Sequence, residues 1–428
     1  MRRSGQHVSV GFGVPAAFLA ALAACSGHQP QALVSEDDED GDAYEPLDEF
    51  GKADGPTIAK GPVKFDRACD PGEKLVIAAV GDVLLHGPLQ RQAVASRDRF
   101  RSLWRDVEDL LEAADITYAN LEGPTAQGVT SSGASTRDPG FRFDEVVYTS
   151  YPQFNYHPYL LEDLVASGVD VVSTANNHSL DRRSLGVDRT IDALESAGLT
   201  FTGTRRRGEE RPWYAITSTK GFNVAWIACT YATNGIPDSK HQVLHCYDDA
   251  AELERMVSEL AQRQGIDAVI VTPHWGEEYQ ANPGWDQVRL GRRLLDAGAT
   301  AILGSHPHVT QPFEKYVTRD GRETFIIYSL GNFVSGQTSL PRKSTLLLYL
   351  GLTKGRDGRT FINGVRYVPL YMDIRNEVRG VRAIDRLGGA TESRALTVKM
   401  FGTWNLAQPE LPVVTNPECD PAWTPPSR

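Results

Sequence analysis

The chain has 428 residues, 41% hydrophobic and 23% charged, which places it with folded globular proteins rather than fibrous or low-complexity ones. Its formal net charge of −11 argues against a nucleic-acid partner. Beyond the N-terminus, no apolar run is long enough to cross a bilayer as a helix.

Arg2 and Arg3 open a basic segment, Val8 to Ala24 is apolar and small, and Leu22-Ala23-Ala24-Cys25 closes it. This is the layout of a secretory signal over residues 1–24. Its last four residues resemble a bacterial lipobox, which makes Cys25 the expected lipidation site. An uncleaved anchor is the alternative, disfavoured by Gly11, Gly13 and Pro15. The expected location is the cell envelope, as a periplasmic or outer-membrane lipoprotein held to the membrane by its lipid. Residues 25–68 read as an acidic, disordered tether, because nine carboxylates fall between Glu36 and Glu49 with no Lys or Arg among them. With residues 26–55 carrying −9 and residues 1–25 carrying +2, the remainder holds only −4.

If Cys25 is lipidated, an even number of cysteines remains in an exported chain. Cys69–Cys419 and Cys229–Cys246 are the expected disulfides among the alternative connectivities.

From Leu75 onward, strand and helix patterns alternate. Strands are expected at Leu75–Val80, Ile116–Ala119, Val169–Ser173, Asn223–Ala228, Ala268–Val271 and Ala301–Leu303. Helices are expected at Trp104–Ala113, Tyr159–Ser167, Gly186–Ala197 (with Gly198 as its C-cap), Asp248–Arg263 and Trp285–Ala297. Apolar strands separated by helices imply βαβ units and parallel pairing. After Gly304 the pattern turns β-rich, with strands at Phe313–Val317, Glu323–Tyr328, Ser344–Leu352 and Phe361–Tyr371. Arg356-Asp357-Gly358 supplies a hairpin turn. The folded domain is expected over 69–380, and 381–428 as an extension packed on it. Residues 127–140 form a polar loop, a candidate rim for a site.

The strands exit into polar residues: Gly81-Asp82, Asn120-Leu121-Glu122, Asn176-Asn177-His178 with Asp181, His274-Trp275-Gly276-Glu277, and Ser305-His306-Pro307-His308. In open α/β sheets, ligands bind beyond the carboxyl ends of strands. Carboxylates, imidazoles and an Asn carbonyl together suit a transition-metal site. Two such ions would activate a water and clamp the oxygens of an in-line displacement at phosphorus. His178 is better placed as an acid or outer donor than as a ligand, and Asp181 could fix its tautomer.

These motifs, with Gln311-Pro312 and Tyr328-Ser329-Leu330-Gly331-Asn332-Phe333, run in order over roughly 75–335. There the chain resembles the CapA/PgsA family of poly-γ-glutamate capsule biosynthesis proteins, which are related to the calcineurin-like metallophosphatases. The resemblance implies a four-layer αββα sandwich, in which two packed mixed sheets are flanked by helices. It implies Asp82, Glu122, Asn177, His274, His306 and His308 as metal ligands, with His178 and Asp181 as the catalytic pair. Glu277 and Asn332 fall in family motifs without a clear metallophosphatase counterpart and are assigned to substrate contact or to supporting the ligands from behind. The implied cofactor is one or two divalent ions (Mn, Zn or Fe). The chain departs from the metallophosphatase pattern at its first strand, where Asp82-Val83-Leu84 lacks the usual His and His86 comes two residues late. Glu122 also stands where an Asp is usual.

Two functions follow as expectations. One is a metal-dependent hydrolase of phosphoesterase type, acting on envelope or capsule material. The other is a non-catalytic anchor or export component of a capsule synthesis complex, holding a polyanionic polymer.

Overall fold

The computed structural model describes residues 56, 58 and 61–426, apart from 376 and 409–412. The expected signal, Cys25 and the acidic run lie outside the described residues.

Fourteen strands among the described residues form two sheets. In chain order they are β1 (Glu73–Leu84), β2 (Ile116–Leu121), β3 (Val171–Ser173), β4 (Thr200–Thr202), β5 (Tyr214–Thr219), β6 (Phe222–Thr230) and β7 (Ala268–His274), followed by β8 (Ala301–Leu303), β9 (Thr310–Val317), β10 (Glu323–Leu330), β11 (Asn332–Ser335), β12 (Ser344–Lys354), β13 (Thr360–Arg375) and β14 (Val378–Ala383). The first sheet runs β14-β13-β12-β1-β2-β3-β4, with β11 also paired to β1, and the second runs β5-β6-β7-β8-β10-β9. Both are mixed. In the first sheet, β1 through β4 are parallel and β12, β13 and β14 add antiparallel strands. In the second, β6, β7, β8 and β10 are parallel and β5 and β9 close the edges antiparallel.

The sheets pack face to face. On β1, Leu75, Ile77 and Ala79 point into the core between the sheets, which also holds Val224 and Trp226 of β6. Tyr118 and Trp226 stack across that core, with ring centroids 5.7 Å apart. The alternate residues Ala78 and Val80 face outward, against helices Glu108–Glu112 and Tyr159–Ala166. Ala225 and Ile227 face helices Ala250–Gln262 and Trp285–Ala297. Strands buried on both faces read as unbroken apolar runs because water touches neither side. The result is the four-layer α/β/β/α sandwich that the resemblance implied.

Several boundaries move. Ile58, Val63, Phe65 and Ala68 are buried, so the packed region starts before Cys69 and the tether does not extend to 68. The expected break at 380 would cut β14, whose residues pair with β13 from Leu370↔Ala383 to Arg375↔Val378. The expected helix Trp104–Ala113 is broken: 3₁₀ turns occupy Arg99–Leu103 and Arg105–Val107, and only Glu108–Glu112 is α-helical. Trp104 (φ −140°) and Val107 (φ −129°) leave helical geometry at the junctions. Gly198 does cap helix Arg183–Ala197, in the left-handed region at φ 69°. The structure joins Cys69 to Cys419 and Cys229 to Cys246.

Candidate metal centre

The carboxyl ends of strands from both sheets meet at one place. At the end of β1, Gly81 lies so close to Gly331 that an added Cβ would sit 1.7 Å from the Gly331 carbonyl oxygen. This approach lets the Asp82 N–H donate to that same carbonyl at 3.0 Å. Asp82 therefore lies beside Asn332 on one flank and Asn120 on the other. Asn120 Nδ2 donates to Asp82 Oδ1 at 2.8 Å.

His308 Nδ1 lies 3.1 Å from both Asp82 Oδ2 and Asn332 Oδ1. His274 ends β7; its Nδ1 lies 3.0 Å from Ser305 Oγ and its Nε2 2.9 Å from Asn177 Oδ1. His306 Nδ1 sits 3.2 Å from His274 Nε2. Glu122 Oε1 lies 3.6 Å from His274 Nε2 and 3.8 Å from His308 Nε2. Three overlapping ligand groups result: Glu122 with His274 and His306, Asp82 with Glu122 and His308, and Glu278 with His306 and His308.

Burial sets the protonation states. It holds His274 and His306 well below the ordinary imidazole value, and neighbouring histidines push them lower. Both are therefore neutral, each with a lone pair to offer. Burial also raises Glu122 well above the usual carboxylate range, helped by the charge of Asp82. Both Glu122 carboxylate oxygens are buried and accept no hydrogen bond among the described residues. A buried carboxylate without partners is costly, and a cation among these imidazoles would neutralise it. The donor set therefore fits a divalent metal.

The backbone is strained here. His306 (φ 100°), His308 (φ 59°) and Tyr279 (φ 65°) all lie at positive φ, which L side chains rarely adopt. The Tyr279 N–H donates to the Pro307 carbonyl at 2.8 Å, tying the two strained turns together.

His178 Nδ1 lies 2.8 Å from Asp181 Oδ2, which also accepts the Phe154 N–H at 2.7 Å. Both side chains are buried. A carboxylate so placed keeps the proton on Nδ1 and leaves Nε2 for proton transfer. Arg182 is fully buried, and its Nε donates to the Val129 carbonyl at 3.2 Å, anchoring the polar 127–140 loop next to Asp181.

Asp82, Glu122, Asn177, His274, His306 and His308 thus converge. Asn332 is buried against His308 as a brace, the supporting one of its two expected roles. Glu277 is exposed and belongs to none of the three groups; its neighbour Glu278, which carried no assignment in the sequence, joins one of them. Gly276, at φ 88°, turns the chain just before them. Tyr231 and Asn234, at the end of β6, carried no signal in the sequence. The Tyr231 ring packs 4.4 Å from His306, and Asn234 Oδ1 accepts from Asn177 Nδ2 at 3.2 Å. His86 belongs to no ligand group among the described residues: its Nδ1 accepts the Gly336 N–H at 3.1 Å and its ring packs edge-on to Phe154.

The family described as Bacterial capsule synthesis protein PGA_cap matches residues 76–337, and the chain belongs to that family. It is similar to the Capsule biosynthesis protein CapA of Bacillus anthracis, 29% identical over 325 residues that cover 73% of this chain and 70% of the relative. It is also similar to the PGA biosynthesis protein CapA of Bacillus subtilis (strain 168), 27% identical over 282 residues, 65% of this chain and 68% of that one. Among solved structures, a hypothetical protein of Thermus thermophilus overlaps with TM-score 0.40 and 16% identity, over 69% of this chain and 98% of its own. The sulfate thiohydrolase SoxB of the same organism overlaps with TM-score 0.39 and 14% identity, over 77% of this chain and 60% of its own.

Proposed function

We propose that this member of the capsule synthesis family is an envelope lipoprotein with a divalent-metal hydrolase site of phosphoesterase type. Glu122 carries the reading: a carboxylate fully buried, accepting no hydrogen bond among the described residues, and ringed by Asp82, His274, His306 and His308. A bound cation supplies Lewis acidity, polarising an ester oxygen and acidifying water. The chain's own groups do the rest. Asp181 orients His178, whose Nε2 exchanges a proton with the leaving group. Asn177 and Asn332 hold the imidazoles in place. The natural substrate is envelope or capsule material, and the partner is the capsule synthesis machinery.

Purified protein loaded with Mn²⁺ or Zn²⁺ should hydrolyse phosphomonoesters or diesters, and His178→Ala and His308→Ala should each abolish this. Equal activity of all three proteins sinks the reading. Export is tested by metabolic labelling with a fatty acid, which should mark the wild type and not Cys25→Ser.

A second reading, a non-catalytic polymer anchor, is favoured by the first strand. Leu84 stands where metallophosphatases place a ligating His, and His86 is engaged with Gly336 instead. Metal-free protein that still binds the polymer supports this second reading.

A further inference from the structure

Arg342 stands out beside the metal centre. It lies in the short helix Leu340–Lys343 that joins β11 to β12, and it is half-buried. No carboxylate among the described residues pairs with its guanidinium, whose Cζ instead lies over the Tyr279 ring, 3.7 Å from the centroid. Arg99, Arg206 and Arg366 are each neutralised, by Asp163, Glu195 and Glu418, whereas Arg205 and Arg211 also lie over aromatic rings, Trp213 and Phe201, away from the ligand groups. Arg182, also near the site, is fully buried and hydrogen-bonded to the backbone.

The position of Arg342 is built from the same parts as the metal centre. Asn332 Nδ2 donates to the Arg342 carbonyl at 3.0 Å and to the His308 carbonyl at 3.1 Å, while Asn332 Oδ1 faces the His308 ring. Tyr279, under the guanidinium, is held at positive φ by Pro307, and its ring centroid lies 6.1 Å from that of His308. Gln337 links the two, accepting from Asn332 and donating to the Tyr279 hydroxyl at 3.4 Å. One aromatic ring therefore separates a cation without a carboxylate from the ligand His308. A guanidinium over an aromatic ring and without a carboxylate partner has N–H donors to offer a bidentate oxyanion.

We infer that Arg342 is a substrate-positioning residue that binds an oxyanion of the substrate, a carboxylate or a phosphate, beside the metal centre. The site is thereby selective for anionic substrates. This rests on the hydrolase reading for its location but not for its test, which is a binding measurement.

The metal-loaded wild type, Arg342→Gln and Arg342→Lys are titrated calorimetrically with inorganic phosphate, with a γ-linked glutamate trimer, and with the neutral γ-linked glutamine trimer. Arg342→Gln should weaken binding of at least one anionic probe about tenfold or more, and Arg342→Lys should recover part of it. Dependence confined to phosphate identifies a phosphoryl group as the recognised oxyanion; dependence confined to the glutamate trimer identifies a side carboxylate. Binding of the neutral trimer should be the same in all three proteins. Equal affinities of wild type and Arg342→Gln for both anionic probes, or no binding of either by the wild type, overturn the inference. Loss of hydrolysis in His308→Ala alongside unchanged binding in Arg342→Gln removes this inference alone. Binding that depends on Arg342 in a protein without hydrolytic activity removes the hydrolase reading alone.

Discussion

Asn177 Oδ1 and His274 Nε2 meet at 2.9 Å, one from the loop after β3 in the first sheet and the other from the end of β7 in the second. The candidate metal centre is therefore a polar joint between two sheets whose facing surfaces are largely apolar. A ligand bound only by the folded state stabilises it by about 2.7 kcal/mol at one hundred times its Kd. Zn²⁺ or Mn²⁺ should raise the Tm in a thermal scan by several degrees, and chelator should reverse it. Glu122→Gln should respond to neither. A wild type indifferent to metal would count against any ion at this joint.

Asp181→Asn removes the carboxylate that holds His178 Nδ1. The amide can present its nitrogen to the ring and favour the wrong tautomer. We expect kcat/KM on a phosphoester to drop by about two orders of magnitude, and the Tm to fall as well because the Phe154 N–H loses its acceptor. An unchanged rate would leave His178 without an orienting partner in the chemistry.

His157 gives a pH prediction away from the ligands. It packs among Phe141, Tyr148 and Tyr159, and its Nδ1 accepts the Tyr159 N–H at 3.1 Å. Burial lowers its pKa from 6.5 to about 4. Between those values the unfolded chain binds a proton that the folded chain does not. The contribution to stability is thus complete above about pH 6.5 and drains away as the pH falls toward 4. His274 and His306 act with the same sign and Glu122 with the opposite one, so a comparison with His157→Phe isolates the residue. Between about pH 7 and about pH 5, urea denaturation should show the wild type losing about 1–2 kcal/mol more than the variant. Parallel losses would rule out the assignment.

Gly81→Ala tests the close approach of β1 to Gly331. The new Cβ would lie 1.7 Å from a backbone oxygen that has no flexible side chain to yield. A destabilisation of about 3 kcal/mol, read from the denaturant midpoint, is expected along with weaker metal binding. Wild-type stability would mean that the strands can part at no cost.

The strand ends were legible because strands buried on both faces stay apolar until they leave the sheet. Each then announces its exit with polar residues, as Val80-Gly81-Asp82 and Leu303-Gly304-Ser305-His306 do. The place of Glu278 beside His306 and His308 was not legible. It depends on Gly276 and Tyr279 both adopting positive φ, and only a glycine signals that in advance. β11, four residues long, hid inside the motif around Asn332 because it needs β1 beside it to be a strand at all. Tyr231 and Asn234 reach the site only through the path of the chain after β6. The register Asp82↔Asn332 spans the domain and leaves no local pattern.

That register has a consequence for how the protein is made. Along its length β1 pairs with β12, from Glu73↔Lys354 to Ala79↔Leu348, and Asp82 pairs with Asn332. The strand that carries the first ligand finds its antiparallel neighbour only across most of the domain, and a chain so rich in distant pairings closes slowly. Until β12 joins it, the sheet that presents Asp82 has an open flank, so the ligand set is complete only once the whole domain has closed.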